Sequence, residues 1–374
     1  MIEISKQEQV EVRTKMTLTV GIIGCGGIAN GKHMPALSKV EGARMVAFCD
    51  IVPERAEKAK AEFGDEGSVV YTDYKELLKD ASIDVIHVCT PNISHAEISI
   101  AAMEAGKHVM CEKPMAKTTA EAQAMIDASK RTGKKLTIGY QNRFRPDSAY
   151  LHTVCENDGL GEIYYAKAKA IRRRAVPTWG VFLDEEAQGG GPLIDIGTHA
   201  LDLTLWMMDN YKPKYVVGNA YHKLSGRKNA ANAWGPWDPE KFTVEDSAIG
   251  FITMENGASI VLEASWALNT LDVGEAKTVL CGTEGGADME NGLRINGEEY
   301  GKTFEKHISL EAGGVDFYDG AGDDPALTEA TQWIESIVND TEPVVKPEQA
   351  LVVTRILEAI YKSSETGMPV FFEK

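Results

Sequence analysis

Asp195 and His199 stand four residues apart at the end of the run Gly189-Gly190-Gly191-Pro192-Leu193-Ile194-Asp195-Ile196-Gly197-Thr198-His199. If 195–208 is helical, the two share a face and can touch. A histidine held by a carboxylate suits general-base work, because its proton affinity lies near neutral pH and the acid fixes the ring. Such a base would give a rate that rises along one limb near neutrality. The same pair could instead serve only to cap a helix start. Glu112-Lys113-Pro114 forms a second group. It follows a strand-like run, and Pro114 stiffens what comes next. Lys113 is then held where an ammonium can donate to a substrate oxygen or orient a ribose.

A third group, Gly24-Cys25-Gly26-Gly27-Ile28-Ala29, sits where a strand-like run hands over to a helix, and Asp50 ends the next strand-like run twenty-one residues after Ala29. This is a G-x-G-x-x-A fingerprint with its acid in register. Gly24 permits a tight turn, Gly26 lets backbone approach a pyrophosphate, and Ala29 lets helix and strand pack closely. The helix start, with Gly27 and Ile28, offers N–H groups to phosphate. Asp50 can accept both hydroxyls of an adenosine ribose. It would repel a 2′-phosphate, so NAD is expected over NADP, although Arg55 keeps NADP use open. Thr90-Pro91-Asn92, with His95, follows the fourth strand-like run. Thr90 and Asn92 could bond a nicotinamide ribose or the diphosphate, or merely cap the next helix.

These residues need elements to hold them. Up to about residue 143 the pattern alternates strand and helix: strands at 16–23, 43–49, 68–72, 83–89, 107–111 and 135–139, and helices at 53–63, 74–79, 94–105 and 119–132. Continuous apolar strands such as Val85-Ile86-His87-Val88 suit a parallel sheet buried on both faces. Residues 16–143 therefore read as a doubly wound α/β (Rossmann) domain, after a flexible extension at 1–15. Residues 144–374 read as an α+β domain with a large, mostly antiparallel, open sheet. Its hairpin 246–268 turns at Glu255-Asn256-Gly257 and leaves a face bearing Ile252 and Val261 to be covered, which predicts a homo-oligomer, dimer or tetramer. The helix at 347–364 could pack back on the first domain.

The bulk numbers fit a two-domain globular chain. It has 374 residues, 43% of them hydrophobic and 25% charged, with a net charge of −17. That charge leaves no basic footprint for nucleic acid. No apolar run approaches membrane-spanning length. Six cysteines occur without a C-x-x-C pair, and no zinc or calcium pattern is present, so no metal is expected. Without a signal peptide the expected location is cytoplasmic. The stretch Arg172–Gly180 adds Arg174 and Trp179, which could bind and stack on a sugar ring, and Trp234 and Trp237 lie in a long loop at 225–242.

Taken in order, Gly24-x-Gly26-x-x-Ala29, Thr90-Pro91-Asn92 with His95, Glu112-Lys113-Pro114 and Gly190-Gly191…Asp195-x-x-x-His199-x-x-Asp202 resemble the Gfo/Idh/MocA oxidoreductases. That group includes inositol dehydrogenase and glucose–fructose oxidoreductase, and the resemblance spans nearly the whole chain. It implies that Lys113, Asp195 and His199 form the catalytic group, that the peptide before Pro114 is cis, and that the substrate is a sugar, polyol or derivative. It further implies hydride transfer between a nicotinamide and a carbinol or keto carbon, with His199 taking the hydroxyl proton, Lys113 holding the oxygen and Asp195 orienting one or the other. Two alternatives stand beside this: an NAD-dependent glycoside hydrolase working through transient oxidation, and a non-enzymatic nucleotide-binding regulator on the same fold.

Overall fold

A computed structural model describes residues 17–310 and 324–372. The expected extension at 1–15 lies outside the described residues, as does most of the acidic run 319–324. Six parallel strands, β1 (Leu18–Ile23), β2 (Ala43–Cys49), β3 (Val69–Tyr71), β4 (Val85–Val88), β5 (His108–Cys111) and β6 (Leu136–Ile138), pair in the order β3-β2-β1-β4-β5-β6. The order reverses between β1 and β4, and the crevice at their carboxyl ends is where such sheets bind ligands. Every residue of β4 is buried, as helices on both faces require. The helix Thr119–Thr132 carries a capping box between Thr118 and Glu121 and stops at Gly133 in the left-handed region.

The second sheet has nine strands: β7 (Ile163–Ile171), β8 (Pro213–Tyr221), β9 (Ser247–Met254), β10 (Ser259–Ser265), β11 (Gly274–Gly282), β12 (Gly285–Asp288), β13 (Arg294–Glu299), β14 (Lys302–His307) and β15 (Val370–Phe371). Their order is β14-β13-β12-β11-β7-β10-β9-β8-β15, antiparallel except where β7 meets β10. Helices Thr198–Met208 and Pro347–Thr366 cover one face. Ala166, Ala168 and Ala170 of β7 are fully buried there, and their small size lets the helix Thr198–Met208 lie close. The opposite face exposes Val217, Ile249 and Phe251. Ile252 is not on it: it pairs with Ile260 and is fully buried on the helix side. Side chains alternate along a strand, so Ile252 and Val261 belong to opposite faces, and the expectation that grouped them is corrected.

The helix Pro347–Thr366 does reach the first sheet's layer, where Glu358 accepts from Thr119 and Glu348 pairs with Lys130. A second late helix, Pro325–Val338, goes further. Its Ala330, Trp333, Ile334 and Ile337 join the core around β1, β2 and the fingerprint helix. Among the described residues no helix is long and apolar enough to cross a membrane.

Candidate active site

The fingerprint loop is built for close approach. Gly24 has φ +90°, and a Cβ there would stand 2.6 Å from the carbonyl oxygen of Cys89, so both conformation and space demand glycine. A Cβ on Gly26 or Gly27 would meet nothing within 4 Å, which leaves their backbone open to a phosphate-bearing ligand. Ala29 is fully buried against the sheet, while Ile28 is 40% exposed beside the open glycines. Asp50 is buried and braces the loop, with Oδ2 accepting from Cys25 N–H and Oδ1 from Val52 N–H, both at 2.9 Å. Each oxygen keeps a further lone pair for a ribose hydroxyl. Thr90 Oγ1 is buried with no protein partner, at the end of β4. Open glycine backbone, a carboxylate in register and an orphaned hydroxyl together fit a dinucleotide.

Asn92, His95 and Glu112 each hold protein partners. Asn92 Nδ2 donates to the carbonyl of Gln188 at 2.9 Å, tying the loop after β4 to the glycine run. Both ring nitrogens of His95 face carbonyl oxygens, Pro114 at 2.7 Å and Thr90 at 2.9 Å, so the buried ring is a strut between two crevice loops with no nitrogen left for a ligand. Glu112 turns inward. Its Oε1 accepts from Lys32 at 2.8 Å and meets His33 Nε2 at 2.7 Å, and its Oε2 accepts from Lys113 N–H at 3.0 Å. Burial raises the Glu112 carboxyl, but Lys32 and His33 outweigh it and hold the group well below the usual carboxylate range. Lys32 also pairs with Glu329 at 2.8 Å, and His33 Nδ1 lies 3.0 Å from His87 Nδ1. This buried cluster had no sequence signal. It depends on a π turn at Ala29–His33, which carries both Lys32 and His33 inward, and on the late helix that brings Glu329.

Lys113 sits at the crevice with a cis peptide to Pro114. Its Nζ lies 2.8 Å from both the main-chain carbonyl and Oδ1 of Asp195. Asp195 Oδ2 accepts from Trp266 Nε1 at 3.1 Å. Burial raises the Asp195 carboxyl, yet Lys113 and then Arg172 bring it below its ordinary value. The expected Asp195–His199 contact is therefore replaced. The segment Leu193–Gly197 is a π turn ahead of the α-helix Thr198–Met208, and there the Asp195 carboxylate bonds Lys113 and Trp266, while its charge still acts on His199. His199 is buried, with Nδ1 unpartnered and its ring edge-to-face with Tyr140 at 6.2 Å. Burial first, then the Lys113 charge, push its pKa down to about 3. His199 is thus neutral across the physiological range, and the expected limb near neutrality does not belong to it.

The segment that bears Asp195 and His199 is fixed from three sides. Tyr140 Oη bonds Thr198 Oγ1 at 2.8 Å. Arg143 makes a buried two-point contact with Asp202, at 2.9 and 2.6 Å. Glu245 accepts from Gly191 N–H at 2.8 Å, Leu193 N–H at 3.0 Å and Tyr361 Oη at 2.9 Å. A Cβ on Gly190 would stand 2.1 Å from Tyr361 Oη and one on Gly191 2.3 Å from the Glu245 carbonyl, which is why this run is glycine. Burial pushes the Glu245 carboxyl up to about 7. A cavity of about 390 Å³ opens beside Glu245 and Tyr361, and Lys113, Asp195 and His199 are not in its walls.

On the substrate side, Arg174 is spent on structure, donating to the carbonyls of Arg173 and Leu268 and to Asn269. Arg172 is the arginine whose charge reaches Asp195. Trp179 is half exposed and meets Trp234 edge-to-face at 4.9 Å. Trp237 is instead buried, its Nε1 donating to Ser225.

A parallel sheet with an open glycine loop, together with a lysine–aspartate pair that joins the two domains, defines a dinucleotide-dependent oxidoreductase. Residues 18–140 match the family model described as an oxidoreductase family with an NAD-binding Rossmann fold, and 149–288 match the GFO/IDH/MocA C-terminal domain. The D-glucoside 3-dehydrogenase of Escherichia coli (strain K12) is 34% identical over 96% of this chain and 98% of its own length. The glucose-6-phosphate 3-dehydrogenase of Bacillus subtilis (strain 168) is 33% identical over 51% of this chain and 54% of its own. A solved levoglucosan dehydrogenase in complex with NADH and levoglucosan superposes with a TM-score of 0.80 at 22% identity, over 95% of this chain and 99% of that one. The chain belongs to the Gfo/Idh/MocA oxidoreductase family, and NAD is its cofactor.

Proposed function

We propose that the chain oxidises a secondary ring hydroxyl of a sugar or sugar derivative with NAD, and that the target is carbon 3 of a glucose-configured ring. The observation that carries the chemistry is the seating of Lys113 Nζ on both the carbonyl and the carboxylate of Asp195 beside the open glycine loop. The names of the two 3-dehydrogenase relatives support the ring and the position. Bound at that loop, NAD supplies the hydride acceptor. Gly26 and Gly27 receive its diphosphate, Asp50 its adenosine ribose, and Thr90 Oγ1 a neighbouring oxygen. Lys113 donates to the substrate oxygen and steadies the charge that grows there. Asp195 orients that ammonium, and neutral His199 takes the hydroxyl proton. Asp50 disfavours a 2′-phosphate, which supports NAD over NADP.

The exposed face of the second sheet, with Val217, Ile249 and Phe251, supports a homodimer or homotetramer paired across it. The free, mostly buried cysteines agree with a reducing, cytoplasmic setting. The test is NADH formation, followed by absorbance, with purified protein, NAD⁺ and a panel of hexoses, hexosides and inositols. A keto product at carbon 3 is expected. Cleavage of a glycoside with no net NADH would replace this reading with NAD-dependent hydrolysis.

A further inference from the structure

Trp179 and Trp234 are 55 positions apart in sequence and share one edge-to-face contact, each about half exposed. A singly exposed apolar side chain needs no explanation, but two touching, half-exposed indoles make a joint apolar surface of the kind that contacts a ligand or partner. This pair is also held rigidly. Thr178 Oγ1 donates to the Trp234 carbonyl at 3.1 Å, Ala233 N–H to the Arg174 carbonyl at 3.1 Å, and Asn232 bridges both backbone groups of Val176 at 2.7 and 2.9 Å. Buried Trp237 pins the far part of the same loop through Ser225 and Phe242. The loop 225–242 is thus a laced platform.

The platform runs straight into the site. Trp179 meets Phe182 at 5.9 Å, Phe182 meets Trp266 at 6.4 Å, and Trp266 Nε1 donates to Asp195. Arg172, whose charge reaches Asp195, lies 5.6 Å from the Trp234 ring and is held in place by Glu275. Neither exposed indole N–H has an acceptor among the described residues, so each can donate to a hydroxyl. Flat apolar faces beside free N–H donors are what a sugar ring or aryl group binds.

We propose that Trp179 and Trp234 form an outer subsite for the second ring of a glycoside, the group linked to the sugar that Lys113 and His199 oxidise. This rests on the dehydrogenase reading and sharpens it: the preferred substrate has two rings. The commitment is to a ligand ring, because the aromatic chain is continuous with Asp195, and a subunit contact would have no need of that continuity.

The experiment compares one-ring probes (methyl α- and β-D-glucosides) with two-ring probes (maltose, cellobiose, phenyl α- and β-D-glucosides) in wild type, Trp179→Ala and Trp234→Ala. It reads kcat/KM with NAD⁺, calorimetric Kd, and assembly mass by light scattering. Each variant is expected to lose about tenfold or more in kcat/KM and Kd for the two-ring probe of the accepted anomer, with one-ring probes little changed. Equal losses for both sizes, or none for either, would overturn the subsite and leave the dehydrogenase standing. A fall in assembly mass with ring discrimination intact would assign the pair to a second copy of this chain. If no probe yields NADH yet the calorimetric difference persists, the oxidation reading fails and the subsite stands. No calorimetric binding of any glycoside overturns both.

Discussion

Lys113 and Asp195 join the two halves of the molecule: one ammonium, at the end of a Rossmann strand, lies 2.8 Å from both the main-chain and a side-chain oxygen of a residue in the second domain. The pair is mostly buried, so screening is weak. Removing Lys113 leaves the Asp195 carboxylate with the Trp266 N–H and the more distant charge of Arg172. Lys113→Ala is expected to fold and to lose on the order of 10²–10³ in kcat, the usual cost of one well-placed electrostatic donor. Circular dichroism and steady-state rates check this together. A kcat near wild type with native ellipticity would remove Lys113 from the chemistry.

Asp50 has two duties that a pair of variants can separate. It braces the glycine loop through Cys25 and Val52, and it faces the place of the adenosine ribose. Asp50→Ala loses both, so NAD affinity should fall while relative use of NADP rises. Asp50→Asn keeps an acceptor for one brace and removes the charge. It should therefore raise the NADP/NAD ratio of kcat/KM with a smaller loss of NAD affinity. An unchanged ratio in both variants would mean that selectivity lies elsewhere.

Much of the fold was legible because local and tertiary signals agreed. The strand Ala43–Cys49 and the helices Pro53–Phe63 and Thr119–Thr132 lie where periodicity and caps put them. The late helix Pro325–Val338 was not, since its apolar stripe is ordinary and its destination is 300 residues away in the β1 layer. At the site, Lys113 and Asp195 were legible by residue type and place. Their mutual contact was not, because a π turn depends on packing that one-dimensional spacing does not encode. Glu245 and Lys32 escaped notice for a related reason. Neither belongs to a spaced pattern in its own segment, and only tertiary structure supplies the N–H groups or carboxylates that make it necessary.

Lys32 is expected to be a stability residue. Its one ammonium is shared by Glu112 Oε1 and Glu329 Oε2, all three residues are buried, and Glu329 Oε1 has no hydrogen-bond partner among the described residues. Lys32→Met would leave two carboxylates facing each other without their cation. Such a loss costs about 3–5 kcal/mol. Denaturant unfolding should show it. A change below about 1 kcal/mol would mean that Glu112 and Glu329 are satisfied by protonation.

His199 should titrate far from neutrality. Its pKa is about 3 in the folded chain, below the ordinary 6.5, mainly through burial. The unfolded chain then takes up a proton first, so this group's contribution to stability is whole above pH 6.5 and is lost as pH falls toward 3. His199→Asn should flatten that acid-side decline. It should also lower kcat with NAD affinity intact. Any rate limb near pH 7 should survive the substitution, since it cannot come from a ring already neutral there. Disappearance of such a limb in His199→Asn would contradict the burial argument.

Glu245, at the head of the Asp195–His199 segment, is a group that can produce a limb near neutrality. Burial lifts its carboxyl to about 7 against an ordinary 4.5, while Gly191, Leu193 and Tyr361 donate to it. A raised folded pKa means that its contribution to stability is whole below pH 4.5 and is lost as pH rises through 7. The span corresponds to something on the order of 3 kcal/mol. Stability of wild type relative to Glu245→Gln should therefore fall between pH 4.5 and 7 and level off above. The ionised form grips the two N–H groups at the head of the Asp195–His199 segment more firmly. Turnover should then rise through pH 7 in wild type and lose that rise in Glu245→Gln, with KM for NAD unmoved, because Glu245 touches only the segment's backbone and Tyr361. A rise that persists unchanged in Glu245→Gln would show that Glu245 is not the titrating group.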